Sequence, residues 1–135
     1  RKRGAIVNMS SSAARNPTPL LVQYSGTKGY VEHFSESLHS ELRSKGIHVQ
    51  VQSPLFVSTK LAKQRPGFTV PTPAAFARSA VAHIGYETKV SPFWNHALQL
   101  AVMRSLPAWL LDMIVMSMHQ SIRKRGFKKL NSKRE

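Results

Sequence analysis

The sequence predicts an α/β fold built on a parallel sheet. Two short runs, residues 4–9 and 47–53, have the character of strands. Between them lies a stretch of helical periodicity long enough to cross back over a sheet, which parallel pairing requires. Gly4 to Met9 (GAIVNM) reads as a short buried strand. Ser10, Ser11 and Ser12 follow it, and then a loop in which Pro17 and Pro19 argue against regular structure. From Leu21 to Ser44, Val31, Phe34, Leu38 and Leu42 recur at the spacing of one helix face. Gly46 sits just past that end, where a left-handed cap residue is expected. In Ile47 to Ser53, Ile47, Val49 and Val51 alternate with His48, Gln50 and Gln52. This predicts a strand with one core face and one wetter face, ended by Pro54.

Two more helices are expected, over 73–85 and over 95–104. Ala97 to Met118 is the most apolar stretch, but Arg104, Pro107 and Asp112 interrupt it. A simple spanning helix needs about 20 nearly uncharged residues. A pair of buried or membrane-surface helices broken at Pro107 fits the pattern better. After Met118 the chain turns strongly basic and is expected to fray. The expected division is therefore 1–96 for the α/β part and 97–135 for an apolar, membrane-associated segment with a basic tail.

Composition narrows the function. The 135 residues suffice for one core, and 41% are hydrophobic, within the globular range. No cysteine is present, which excludes disulfides, thiolate metal sites and a cysteine nucleophile. Lys and Arg total 20 against 6 Asp and Glu, a net charge of +14. Such charge suits an anionic lipid surface, a nucleic acid or a polyphosphate ligand. The basic residues crowd the two ends, at Arg1, Lys2 and Arg3 and from Arg123 to Arg134. No RNA-binding aromatic motif, zinc finger or basic zipper accompanies them, so nucleic acid is not the expected partner. The sequence opens on RKRG and runs straight into the first strand, so it is expected to begin inside a domain.

Several features carry little weight. His33, His39, His48, His83, His96 and His119 are scattered without the paired spacing of a helical metal site, and no metal is expected. Asn8 to Ser10 matches a glycosylation triplet, but on a strand expected to be buried. Trp94 and Trp109 flank the apolar stretch and suit either a core or a membrane interface. Lys133 stands third from the end, where retrieval signals of membrane proteins place a lysine, without an adjacent partner lysine.

Tyr24 and Lys28 carry the chemistry. Four residues apart on a helix, they share one face. An ammonium beside a phenol favours the phenolate, and a tyrosine so tuned can serve as general acid or base. Ser11 lies at the C-terminal end of a strand, where open α/β sheets bind their ligands. It can reach the same substrate oxygen. The Tyr-x-x-x-Lys pair alone occurs by chance in many helices. Its setting gives it weight: an apolar strand, serines, a proline loop, the pair at a helix start, a second strand and Pro54.

GAIVNMSSS, YSGTK and VQSPLFVSTKLAK resemble the second half of the short-chain dehydrogenase/reductase family. Together with PFWNHAL and SLPAW they look most similar to its very-long-chain 3-oxoacyl-CoA reductases, relatives of the 17-beta-hydroxysteroid dehydrogenases. The resemblance implies the C-terminal half of a Rossmann-type doubly wound sheet. It implies NADPH-dependent reduction of 3-oxoacyl-CoA in fatty acid elongation, with hydroxysteroid oxidoreduction or a truncated, membrane-binding fragment as the alternatives. NADH is not excluded as the cofactor. Tyr24 would protonate the substrate carbonyl, Ser11 would polarise it, and Lys28 would tune Tyr24 and bond the nicotinamide ribose. Pro54, Val57 and Thr59 would line the nicotinamide site. Implied partners are the long-chain acyl-CoA, the endoplasmic-reticulum membrane with the catalytic face cytosolic, other elongation enzymes, and a second copy through the Tyr24 helix. Leu55 stands where the family often has glycine, which the resemblance treats as a mark of the subgroup. No Gly-rich dinucleotide fingerprint is present, nor the family's upstream catalytic asparagine. The 135 residues alone are therefore expected not to turn over.

Overall fold

In the computed structural model, the structure describes residues 3–132. Arg1, Lys2, Lys133 and Arg134, which belong to the basic ends, lie outside the described residues. Strand β1 (Gly4–Met9) pairs in parallel with β2 (Ile47–Gln52), from Gly4 opposite Ile47 to Met9 opposite Gln52. A two-residue strand, β3 (Lys89–Val90), pairs in parallel with the other edge of β2. The order is β1-β2-β3. Helix α1 (Val22–Leu42) makes the crossover from β1 to β2. It runs into a short 3-10 turn ending at Gly46, whose φ of 75° is the left-handed cap expected there.

β2 departs from the expected alternation. Gln50 and Gln52 are as fully buried as Val49 and Val51. A central parallel strand is covered on both faces, so neither face is wet. α1 covers the Val49 and Val51 side, where Asn8 donates to Ser35 of α1 at 2.9 Å. The other side lies under α2 (Pro73–Ala82). There Gln50 Nε2 donates to the carbonyls of His83 and Glu87, both at 2.7 Å. Gln52 Nε2 donates to Gln50 Oε1 and to the carbonyl of Ala80, both at 2.9 Å. The two glutamines thus find acceptors for their own buried amides among carbonyls at and just beyond the C-terminal end of α2. α2 starts as sequence rules expect. Pro73 occupies its first turn and the Thr72 hydroxyl accepts from the amide of Ala75 at 3.2 Å.

β1 is not the buried strand expected. Gly4, Ala5, Ile6 and Met9 are exposed, because no strand pairs with its outer edge among the described residues. Pro107 separates α3 (Trp94–Ser105) from α4 (Ala108–Asn131), as expected. The chain does not fray after Met118, since α4 continues to Asn131. Leu111, Val115 and His119 form its buried stripe, and His119 Nδ1 lies 2.7 Å from the carbonyl of Pro19. α4 is thereby fastened to the loop that leads into α1. Trp94 and Trp109 are exposed rather than part of the core.

Candidate active site

The site lies at the C-terminal ends of β1 and β2. Their pairing continues past the strands: Ser10 N donates to the carbonyl of Gln52 at 2.8 Å, and Ser12 N to that of Pro54 at 2.9 Å. The serine cluster and Pro54 are therefore held side by side. Ser11 caps a short 3-10 turn (Ser12–Ala14), its hydroxyl oxygen accepting from Ala13 N at 3.3 Å. Its own proton stays available to a ligand.

α1 brings Tyr24 and Lys28 to the same place. The buried Ser10 hydroxyl donates to the carbonyl of Lys28 at 2.8 Å, which knits the helix to the end of β1. Lys28 Nζ donates to the carbonyl of Met9 at 3.1 Å and stands 5.7 Å from the centre of the Tyr24 ring. That is cation–π range. An ammonium has three donors, so Lys28 keeps donors for a further partner. Tyr24 is 44% exposed, and its hydroxyl has no hydrogen bond among the described residues.

Pro54, Val57 and Thr59 belong to a connection of residues 53–72 that is neither helix nor strand. Pro54 and Val57 are half-buried and Thr59 is exposed. The Thr59 hydroxyl accepts from Ala62 N at 3.1 Å and stabilises a turn. Pro54 is thus tied to the serine cluster, whereas Val57 and Thr59 lie further along the connection.

Two groups escaped the sequence reading. Glu32, on α1 one turn beyond Lys28, is buried and binds three separate segments of chain at once. Its carboxylate accepts from Arg15 Nε at 3.1 Å, from Lys89 Nζ at 2.6 Å and from the Ser53 hydroxyl. Burial alone would raise its pKa, but the bonds from Lys89, Ser53 and Arg15 outweigh that and hold it below the usual carboxylate value. A signal existed: Glu32 is one of only 6 acidic residues among 20 cations. The second group is His96 on α3, fully buried, whose two ring nitrogens meet the backbone of Leu55 and Phe56. No local spacing announces it, because its partners lie some forty positions away. Among the described residues no group of three His, Asp or Glu side chains converges as a metal site.

A strand end with a serine, joined to a helix start bearing Tyr-x-x-x-Lys, matches the short chain dehydrogenase family over residues 1–67. The chain belongs to that family. It is 43% identical over 130 residues to a human protein named very-long-chain 3-oxoacyl-CoA reductase. That match covers 96% of this chain and 42% of the human one, so the chain spans less than half the length of that relative. A solved 7beta-hydroxysteroid dehydrogenase is similar in fold, with a TM-score of 0.70 at 20% identity, over 84% of this chain and 46% of the other. A 3-ketoacyl-(acyl-carrier-protein) reductase from Brucella melitensis, solved with NADH, aligns with a TM-score of 0.51 and 28% identity, over 61% of this chain and 37% of that one. The fold is accordingly α/β, part of a Rossmann-type parallel sheet.

Proposed function

We propose that the protein reduces very-long-chain 3-oxoacyl-CoA to 3-hydroxyacyl-CoA, with NADPH as reductant, as a step of fatty acid elongation. The observation that carries this is the Tyr24 and Lys28 pair, 5.7 Å from ammonium to ring centre, beside the joined ends of two parallel strands. The names of its relatives support the acyl-CoA substrate. The reductase solved with NADH supports a nicotinamide cofactor. The spare donors of Lys28 suit ribose hydroxyls, and the joined strand ends suit a flat ring. When bound, the nicotinamide supplies the hydride.

The chain's own residues handle the proton. The Ser11 hydroxyl donates to the substrate carbonyl and polarises it. Tyr24 delivers its proton to that oxygen as negative charge builds there. Lys28 stabilises the phenolate that remains and holds the ribose. Pro54, Val57 and Thr59 line the nicotinamide side and keep water away.

Residues 97–135 form the proposed membrane-facing part. Leu98 and Val102 stand exposed one turn apart on α3, and Trp109 and Met113 on α4. Arg123, Lys124, Arg125 and Lys128 are exposed near the end of α4. This pairing of apolar surface and cations suits an anionic bilayer surface, here the cytosolic face of the endoplasmic reticulum. No described helix is long and apolar enough to cross a membrane. Association with a second copy and with other elongation enzymes belongs to the same proposal.

The test uses the full-length protein with NADPH, NADH, a long-chain 3-oxoacyl-CoA and a ketosteroid. Cofactor oxidation that depends on the acyl-CoA, fastest with NADPH, is the expected result. Turnover of the steroid alone would make the protein a hydroxysteroid dehydrogenase.

A further inference from the structure

The twenty residues from Ser53 to Thr72 contain no helix or strand. A connection that long inside a compact fold needs support from outside itself. Its early backbone is held from α3. His96 Nδ1 accepts from the amide of Leu55 at 3.4 Å, and His96 Nε2 lies 3.2 Å from the carbonyl of Phe56. One imidazole thus serves the amide of one residue and the carbonyl of the next, as a neighbouring strand would. An Nδ1 that accepts from an amide carries no proton, so the proton sits on Nε2 and points at Phe56.

The surroundings keep this arrangement in place. His96 is fully buried, with Phe93 at 5.1 Å and Phe76 at 6.2 Å between ring centres. Further along the connection, Gln99 of α3 donates to the carbonyl of Thr69 at 3.4 Å, and Trp94 packs edge-on against Phe68 at 5.7 Å. Burial pushes the His96 pKa below the ordinary imidazole value, outweighing the backbone bonds of Phe56 and Thr69 that raise it, and this favours the neutral ring that the two bonds require.

We propose that His96 is the positioning residue of the nicotinamide site, fixing the backbone of Leu55 and Phe56 between Pro54 and Val57. It touches neither cofactor nor substrate. It acts by holding Pro54, Val57 and Thr59 where the cofactor's ring arrives, and so it rests on the reading of those residues given above. Replacing it loosens the connection before it affects the Tyr24 chemistry.

The test compares wild-type full-length protein with His96→Phe, His96→Asn and His96→Gln. The KM for NADPH should rise about tenfold in His96→Phe, the size of one or two lost hydrogen bonds, with kcat at saturating cofactor nearly kept. His96→Asn, which retains an acceptor for Leu55, should recover part of the loss. Amide exchange at Leu55 should quicken in His96→Phe and less in His96→Asn. In the wild type, nitrogen NMR should find the Nε2–H tautomer, a measurement that survives even if a variant fails to fold. An Nδ1–H tautomer, or faster Leu55 exchange with an unchanged NADPH KM, overturns the inference. Wild-type protein that binds neither NADPH nor NADH would instead overturn the reading of the connection as cofactor-lining, whatever the variants do.

Discussion

At the scale of single residues, one buried carboxylate ties together the segments around the proposed site. Glu32 ties the loop after the serine cluster (Arg15), the end of β2 (Ser53) and β3 (Lys89) to α1. Glu32→Gln leaves the Arg15 guanidinium buried without a counter-charge. It should cost about 3 kcal/mol of stability, read as a lower urea midpoint. A loss under about 0.5 kcal/mol would place the pair among interactions that solvent already screens. The proposed Ser11, Tyr24 and Lys28 set can be read from the sequence because its residues are close together and sit at element ends. His96 gave no such signal, and Glu32 showed only as a rare acid among cations, because the partners of both come from distant segments.

At the scale of elements, the boundaries of β1, β2 and α1 followed from periodicity, caps and prolines. Gly46 marked the end of the α1 run and Pro107 the break between α3 and α4, both for backbone reasons. β3 did not show, since two residues carry no period. The burial of Gln50 and Gln52 did not show either, because alternation cannot tell a wet face from one covered by a helix. The helical run from Met118 to Asn131 was hidden by its charge, which repels but does not break a helix. Two substitutions probe the elements. Leu111→Ala empties a buried position on α4 and should cost about 2 kcal/mol, measured by chemical unfolding. Gly29→Ala on α1 meets no atom within 4 Å and should stabilise the chain by about 0.5–1 kcal/mol. Destabilisation at Gly29 would mean that this face packs against something else in solution.

At the scale of the whole molecule, charge decides behaviour in acid and at surfaces. Glu32 has a folded pKa below its ordinary value, so its contribution is complete above the unfolded carboxylate range and is lost as pH falls through the folded value. His96, also depressed, is held neutral in the fold. Its contribution is complete above about pH 6.5, and unfolding gains ground below that because the unfolded ring takes a proton first. Stability should therefore fall on acidification in two stages, followed by unfolding midpoints between about pH 7.5 and pH 3. Replacing His96 should flatten the upper stage and Glu32→Gln the lower. With a net charge of +14, the chain should also bind anionic vesicles more than neutral ones, weakening as salt rises. Equal binding to both kinds of vesicle would leave the cations of α4 without that role.

The proposed role of Tyr24 is tested most directly by Tyr24→Phe in the full-length protein, assayed with NADPH and a long-chain 3-oxoacyl-CoA. Removing one hydroxyl leaves the ring beside Lys28 and should leave cofactor binding near wild type. The kcat should fall by about 10²- to 10⁴-fold, the contribution of a positioned general acid. A variant that turns over at the wild-type rate would show that the proton comes from elsewhere, and would contradict the assignment of this site.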